Sequence, residues 1–168
     1  MINFLLKKNP TLSSRLDYLR NLIDFYVSEA QYEGVNYEIA FAQMCYHTNY
    51  LSFYGTFTTA ESNNFFGLAS LNATERAYNF SSIEEGVRAH IQHLKGYATA
   101  EPLKKNCVDP RYNQIAVNFG FGISPTINGL SNRWAGSDYS NKLKTILDAI
   151  YANYKRDAQG DRHEIGNA

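Results

Sequence analysis

Apolar residues recur at helical spacing through most of the chain. Between 13 and 33 they fall at Leu16, Leu19, Ile23, Val27 and Ala30, a pattern that predicts an amphipathic helix. Ser13 or Ser14 is placed to cap that helix and Gly34 to end it. A second helix is expected after Asn36, its cap, through AFAQMC, whose small and sulfur-bearing side chains suit close approach by another helix. The residues that follow, HTNYLSFYG up to position 55, are polar and aromatic and mark a passage from dry core to wet rim. A third helix over 82–97 opens on Ser82 and Glu85, a capping box, and carries Ile83, Val87, Ile91 and Leu94 on one face. A short helix is predicted over 112–119, a turn over 120–124, and a further helix from Pro125 and Thr126 through Trp134. The last helix begins near Asp138, with Tyr139, Leu143, Ile146, Leu147, Ile150 and Tyr154 toward the core.

One segment breaks this pattern. Residues 56–74, rich in Thr, Ser, Asn and Gly with paired aromatics, have no sustained helical period and read as a loop or a small β-hairpin. An irregular stretch of this length in a small domain points to function, and its aromatics argue against disorder. The simplest arrangement is two lobes with a cleft between them.

Length and charge narrow the possibilities. The 168 residues suit one domain, expected over 1–154, followed by a polar, flexible tail over 155–168. Lys plus Arg and Asp plus Glu balance at 16 each, so nothing marks a surface for nucleic acid or an anionic membrane. The apolar start, MINFLL, is far too short for a signal peptide or a membrane span, so the expectation is either that the protein stays where it is made or that a leader lies outside these residues. The 13 Tyr and 10 Phe either fill a core and an interface or line a groove whose rings suit sugars or peptides. Cys45 and Cys107 have no metal spacing and are either two buried thiols or one disulfide.

Few residues carry recognisable chemistry. His90 and His93 form an H-x-x-H pair on the third helix, but no third ligand stands at a recognisable spacing, so hydrogen-bonding roles are expected rather than a metal. No cofactor is expected, because no phosphate-cradling or dinucleotide glycine pattern occurs. Cys45 and His47, two apart on a helix, point to different faces and do not make a nucleophile–base pair. Glycoside hydrolysis would need a carboxylic acid at the edge of a cleft and a second group to direct water. Position 47 is where such an acid would sit, and it holds histidine. Glu84 and Glu85 are explained by the helix N-terminus they occupy. Glu61 and Glu75, in the irregular segment, are freer to act, though each also suits plain solvated surface.

Several blocks in order carry a resemblance: FLLKKNP at 4–10, EGVNYEIAFAQMC at 33–45, NNFFGL at 63–68, GVRAHIQHLKGYA at 86–98, VDPRY at 108–112 and LSNRWAGSDYSNKL at 130–143. Through them the chain resembles the bacterial glucosaminidase domain, an endo-β-N-acetylglucosaminidase type of peptidoglycan hydrolase with a lysozyme-like fold. The resemblance implies a mostly α fold of the α+β, lysozyme-like kind, with a helical lobe and a small irregular β-hairpin lobe forming a cleft. It implies a β-1,4-linked N-acetylglucosamine glycan of the cell wall as partner, a monomer, and a place in the cell envelope, periplasm or outside the cell. The family's general-acid glutamate falls on His47, its following Thr or Ser on Thr48, and its Gly on Asn49. Glu61 or Glu75 stands nearest the family's second acidic group. Tyr54, Asn63, Asn64, Phe65, Gly67, Trp134 and Tyr139 fall where that family's cleft wall lies.

His47 decides what these matches mean. A protonated histidine is cationic, and would face a transition state that is itself gaining positive charge. It is therefore a poor substitute for a carboxylic acid. Three readings follow: an enzyme using His47 or a relocated acid such as Glu61, a glycan-binding module with little turnover, or a protein-interaction domain on the same fold.

Overall fold

A computed structural model describes residues 1–70 and 76–164, and over them the chain is mostly helical. The elements are α1 (Ile2–Lys8), α2 (Leu16–Glu33), α3 (Tyr37–His47), α4 (Ile83–Ala98), α5 (Tyr112–Asn118) and α6 (Tyr139–Glu164). Helix α3 lies at the centre. Ala40, Phe41, Ala42, Gln43, Met44 and Cys45 are all fully buried, as expected of a helix apolar around its circumference. Its start is fixed locally: the Asn36 side chain accepts from the amides of Glu38 at 2.8 Å and Ile39 at 3.2 Å, satisfying two donors a helix cannot satisfy itself. Helix α6 packs along α3, and α2 packs along α4, so the core is closed by helices distant in sequence.

The expected capping box on α4 forms with one change. Ser82 Oγ accepts from the Glu85 amide at 3.1 Å, while the Glu85 carboxylate reaches back to the Ser81 amide at 2.7 Å rather than to that of Ser82. Gly34 ends α2 in the left-handed conformation. Ser13 and Ser14 do not cap that helix. They lie in a 3-10 segment, Pro10–Arg15, whose proline sets the tighter turn, and α2 begins only at Leu16. The helix expected from Pro125 through Trp134 reduces to one 3-10 turn, Ile127–Leu130, followed by extended backbone at Ser131. Helix α6 continues through Glu164, beyond the point where a tail was expected to start.

The segment between α3 and α4 is turns, a 3-10 turn at Ala60–Ser62 and a single antiparallel bridge between Ala69 and Ala77. Among the described residues it contains no full strand, so the expected hairpin is reduced to that bridge and its neighbouring bonds, Tyr78 amide to Leu68 carbonyl among them. Asn64 does the work of a sheet ladder here. Its buried side chain donates to the carbonyls of Leu68 at 2.8 Å and Tyr78 at 2.9 Å, and accepts from the Leu68 amide at 3.0 Å. The segment sits tightly on α4: a side chain at Gly86 would place its Cβ 1.9 Å from the Asn63 carbonyl oxygen, so only glycine allows that approach. The two cysteines are not joined; Cys45 is buried and Cys107 exposed.

Candidate functional site

The chain leaves α3 through an uncommon turn. Asn49, Tyr50 and Leu51 have φ of 47°, 55° and 61°, three successive residues in the left-handed region. Such residues cost about 1–2 kcal/mol each unless the surroundings hold them. Thr48 holds them: its hydroxyl donates to the Met44 carbonyl at 2.8 Å and accepts from the Leu51 amide at 2.9 Å. Asparagine, here Asn49, is among the few residues other than glycine that take this conformation readily. His47, the last residue of α3 before this turn, lines a pocket of about 250 Å³.

That pocket is lined by His47, Phe66, Gly67, His93, Tyr97 and Trp134, and Arg111 and Arg133 also contribute to its lining. Among the described residues, no Asp or Glu lines it. Gly67 (φ 71°) lies against the His47 ring, and a Cβ there would come within 2.9 Å of His47 Nδ1. Trp134 stands edge-on to His93, ring centroids 4.8 Å apart. Arg111 reaches back to the irregular segment, its Nε donating to the Ala69 carbonyl at 3.0 Å and its terminal nitrogen to that of Ser70 at 3.2 Å.

Behind His47 runs a buried polar chain without a formal charge. His47 Nε2 is 2.8 Å from the Tyr139 hydroxyl, which also receives a hydrogen bond from Gln43 Nε2 at 3.2 Å. Gln43 Oε1 in turn lies 3.1 Å from His90 Nε2, and His90 Nδ1 lies 2.8 Å from the Tyr26 hydroxyl. With Gln43 donating to Tyr139, the Tyr139 proton has one good acceptor, His47 Nε2. Neutral His47 then carries its own proton on Nδ1, beside Gly67. Burial with no compensating negative charge holds the His47 imidazole down to about 4, so the ring is neutral at pH 7. Burial also pushes His90 well below, and Tyr139 above, their ordinary ranges.

His93 differs. Its Nδ1 lies 2.6 Å from Asp109 Oδ2, and the Asp109 side chain is fully buried. Asp109 is oriented in turn by the Arg111 amide, which donates to Oδ1 at 2.9 Å. Among the described residues no group of three or more His, Cys, Asp or Glu is arranged to hold a metal ion.

The residues singled out from the sequence separate into groups. His47, Gly67 and Trp134 line the pocket, and Tyr139 backs His47 from within. Tyr54 is 85% exposed and belongs to a neighbouring depression with Tyr46 and Phe57. Asn64 and Phe65 have no exposed surface; one staples the loop and the other packs in the core beside Tyr26. Asn63 donates to the Phe80 carbonyl at 3.1 Å. Glu61 is exposed in its 3-10 turn and is not among the pocket residues. Glu75 lies outside the described residues. Asp109, Arg111 and Arg133 were not anticipated, although VDPRY contains the first two and NRW the third.

A helical chain with an aromatic-walled pocket at the end of its central helix is the class of molecule the structure defines. The glucosaminidase family model, described as mannosyl-glycoprotein endo-beta-N-acetylglucosaminidase, matches residues 23–155, and the chain belongs to that family. An uncharacterised protein of Borreliella burgdorferi is 39% identical over 148 residues, covering 88% of this chain and 69% of the relative. No solved structure matches. Among the described residues, no helix is long and apolar enough to cross a membrane.

Proposed function

We propose that this is a peptidoglycan-directed glucosaminidase-like domain that holds a β-1,4-linked N-acetylglucosamine glycan in the pocket beside His47, and that His47 does not act there as a general acid. One observation carries the second part. His47 is held neutral down to about pH 4 and its Nε2 is engaged by Tyr139, so at pH 7 it has no acidic proton to give a leaving oxygen. The first part is supported by family membership and by the amphipathic wall of Trp134, Phe66 and Tyr97, which suits the apolar face of a sugar ring. The two-lobed, lysozyme-like arrangement, with residues 1–154 as one unit, belongs to the same proposal. So do a monomeric state, a location in the cell envelope or outside the cell, and the assignment of His47 to the family's glutamate position.

The test is retention on insoluble peptidoglycan. The protein is expected to sediment with the polymer, and Trp134→Ala to remain in solution while still folded, at a lower thermal midpoint. An unretained parent protein would reject the glycan reading and favour a protein-interaction domain on this fold. Release of reducing sugar that disappears in His47→Ala would overturn the statement about His47.

A further inference from the structure

The pocket contains a second histidine in a different electrostatic setting. His93 comes from α4 and Asp109 from the connector before α5, and the two meet at 2.6 Å at the pocket wall. Asp109 is fully buried, so its carboxylate faces the ring rather than water, and the Arg111 amide fixes its other oxygen. With Nδ1 directed at Asp109, the remaining nitrogen, Nε2, is the one through which His93 exchanges protons with the pocket. Phe66, Tyr97 and Trp134 pack around the ring at centroid distances of 5.6, 5.6 and 4.8 Å and limit its rotation.

The charge balance of this pair is that of a carboxylic acid. A protonated His93 beside an ionised Asp109 sums to zero, and after giving up the Nε2 proton the pair sums to minus one. A glutamic acid passes through the same two values. His47, backed only by a phenol and an amide, would pass from plus one to zero. Beside a sugar carbon gaining positive charge, the pair whose charge becomes negative is stabilising and the other is not.

We infer that the His93–Asp109 pair is the general acid of this pocket, displaced from the end of α3 to α4, and that it takes a β-linked amino-sugar glycoside. The inference rests on the proposal that the pocket holds such a glycan. In the step, His93 Nε2 gives its proton to the glycosidic oxygen, and the bond from that oxygen to the anomeric carbon breaks with its electron pair passing to the oxygen. A water adds to the anomeric carbon and releases a proton to solvent, and His93 regains one from solvent. The sum is glycoside plus water giving a reducing sugar and an alcohol, with no redox change. The charged and titratable groups around His93 are Asp109 bonded to it, Arg111, Arg133 and His47 in the same pocket lining, His90 on its own helix and Tyr97 beside the ring.

The experiment measures reducing-sugar release from peptidoglycan across pH, with retention on the polymer measured in parallel. His93→Gln is expected to lower release by about 100- to 10,000-fold while retention persists. Asp109→Asn keeps an oxygen for the Arg111 amide but removes the charge, and is expected to lower the maximal rate of release while retention persists. A merely structural role would weaken retention together with the rate. Proton NMR of the unmodified protein is expected to show the Nδ1–H of His93 in a hydrogen bond to Asp109, a readout that needs no variant to fold. Retention without any release, release in His93→Gln equal to the parent, or absence of that hydrogen bond would each overturn the inference. Loss of retention by the parent would instead overturn the glycan proposal beneath it, and the inference with it.

Discussion

His90 and His93 lie one turn apart on α4, yet they meet different chemistry. His90 is fully buried between the Tyr26 hydroxyl and the Gln43 amide, partners without charge. His93 reaches the pocket wall with a carboxylate at its back. Helix α4 repeats the contrast further along: Lys95, buried like His90, is paired with the Glu33 carboxylate at 2.8 Å. Burial would raise the Glu33 carboxyl, but bonds from Lys95 and from the Lys104 and Lys105 amides outweigh it and hold it below its usual range. Buried next to neutral dipoles, a base stays neutral; buried next to a carboxylate, it can keep its charge. His47 belongs with His90 in this comparison: its partner is the Tyr139 phenol, and burial keeps it neutral.

The contrast can be broken first at His47. Placed in the His93→Gln protein, His47→Glu is expected to raise reducing-sugar release by about 100- to 10,000-fold over His93→Gln alone, because it supplies a carboxylic acid to the same pocket. No gain would mean that the end of α3 does not face the scissile bond. Next is the ion pair on α4. Lys95→Ala leaves Glu33 buried without its cation, and a loss of about 3–5 kcal/mol in urea unfolding is expected. A loss under 1 kcal/mol would show that the Lys104 and Lys105 amides satisfy Glu33 alone.

Gly67→Ala should cost about 1–3 kcal/mol, through the left-handed backbone and the approach of its Cβ to His47. It is also expected to weaken retention on peptidoglycan, because the His47 ring must shift. An unchanged unfolding midpoint would show that loop and ring separate freely. The smallest effect is a slope. His47 takes up a proton near pH 6.5 in the unfolded chain and only near pH 4 when folded, so the unfolded state binds more protons between those values. Its contribution therefore lowers stability as pH falls from about 6.5 to about 4, and adds no further change below that. His90 acts in the same direction. His47→Gln should give a flatter plot of thermal midpoint against pH over that window, and parallel plots would contradict the depressed proton affinity of His47.

Much of the framework was legible along the chain, because caps and amphipathic spacing act within one or two turns. Asn36 caps α3, Ser82 caps α4 and Gly34 ends α2 by contacts that span at most five residues. The misreadings arose where longer-range packing overrode local pattern. The stretch from Pro125 to Trp134 has apolar residues enough for a helix, but the 3-10 turn there packs against α6 and the chain then extends, with the Ser131 hydroxyl accepting from the Ser140 amide at 2.9 Å. Asn64 and Phe65 were legible as important positions, yet their burial gives them loop and core roles.

The sequence by itself determined most of the helices, several of their ends and the family, since these depend on near neighbours and on ordered blocks of residues. It also placed a histidine at the end of α3. It did not determine what each histidine can do. His47 takes its partner from 92 residues away, His90 from 64, and His93 from a connector 16 residues on. Whether an imidazole accepts a proton at pH 7 depends on its burial and on the charge of the group against it, and only the tertiary structure brought those groups together.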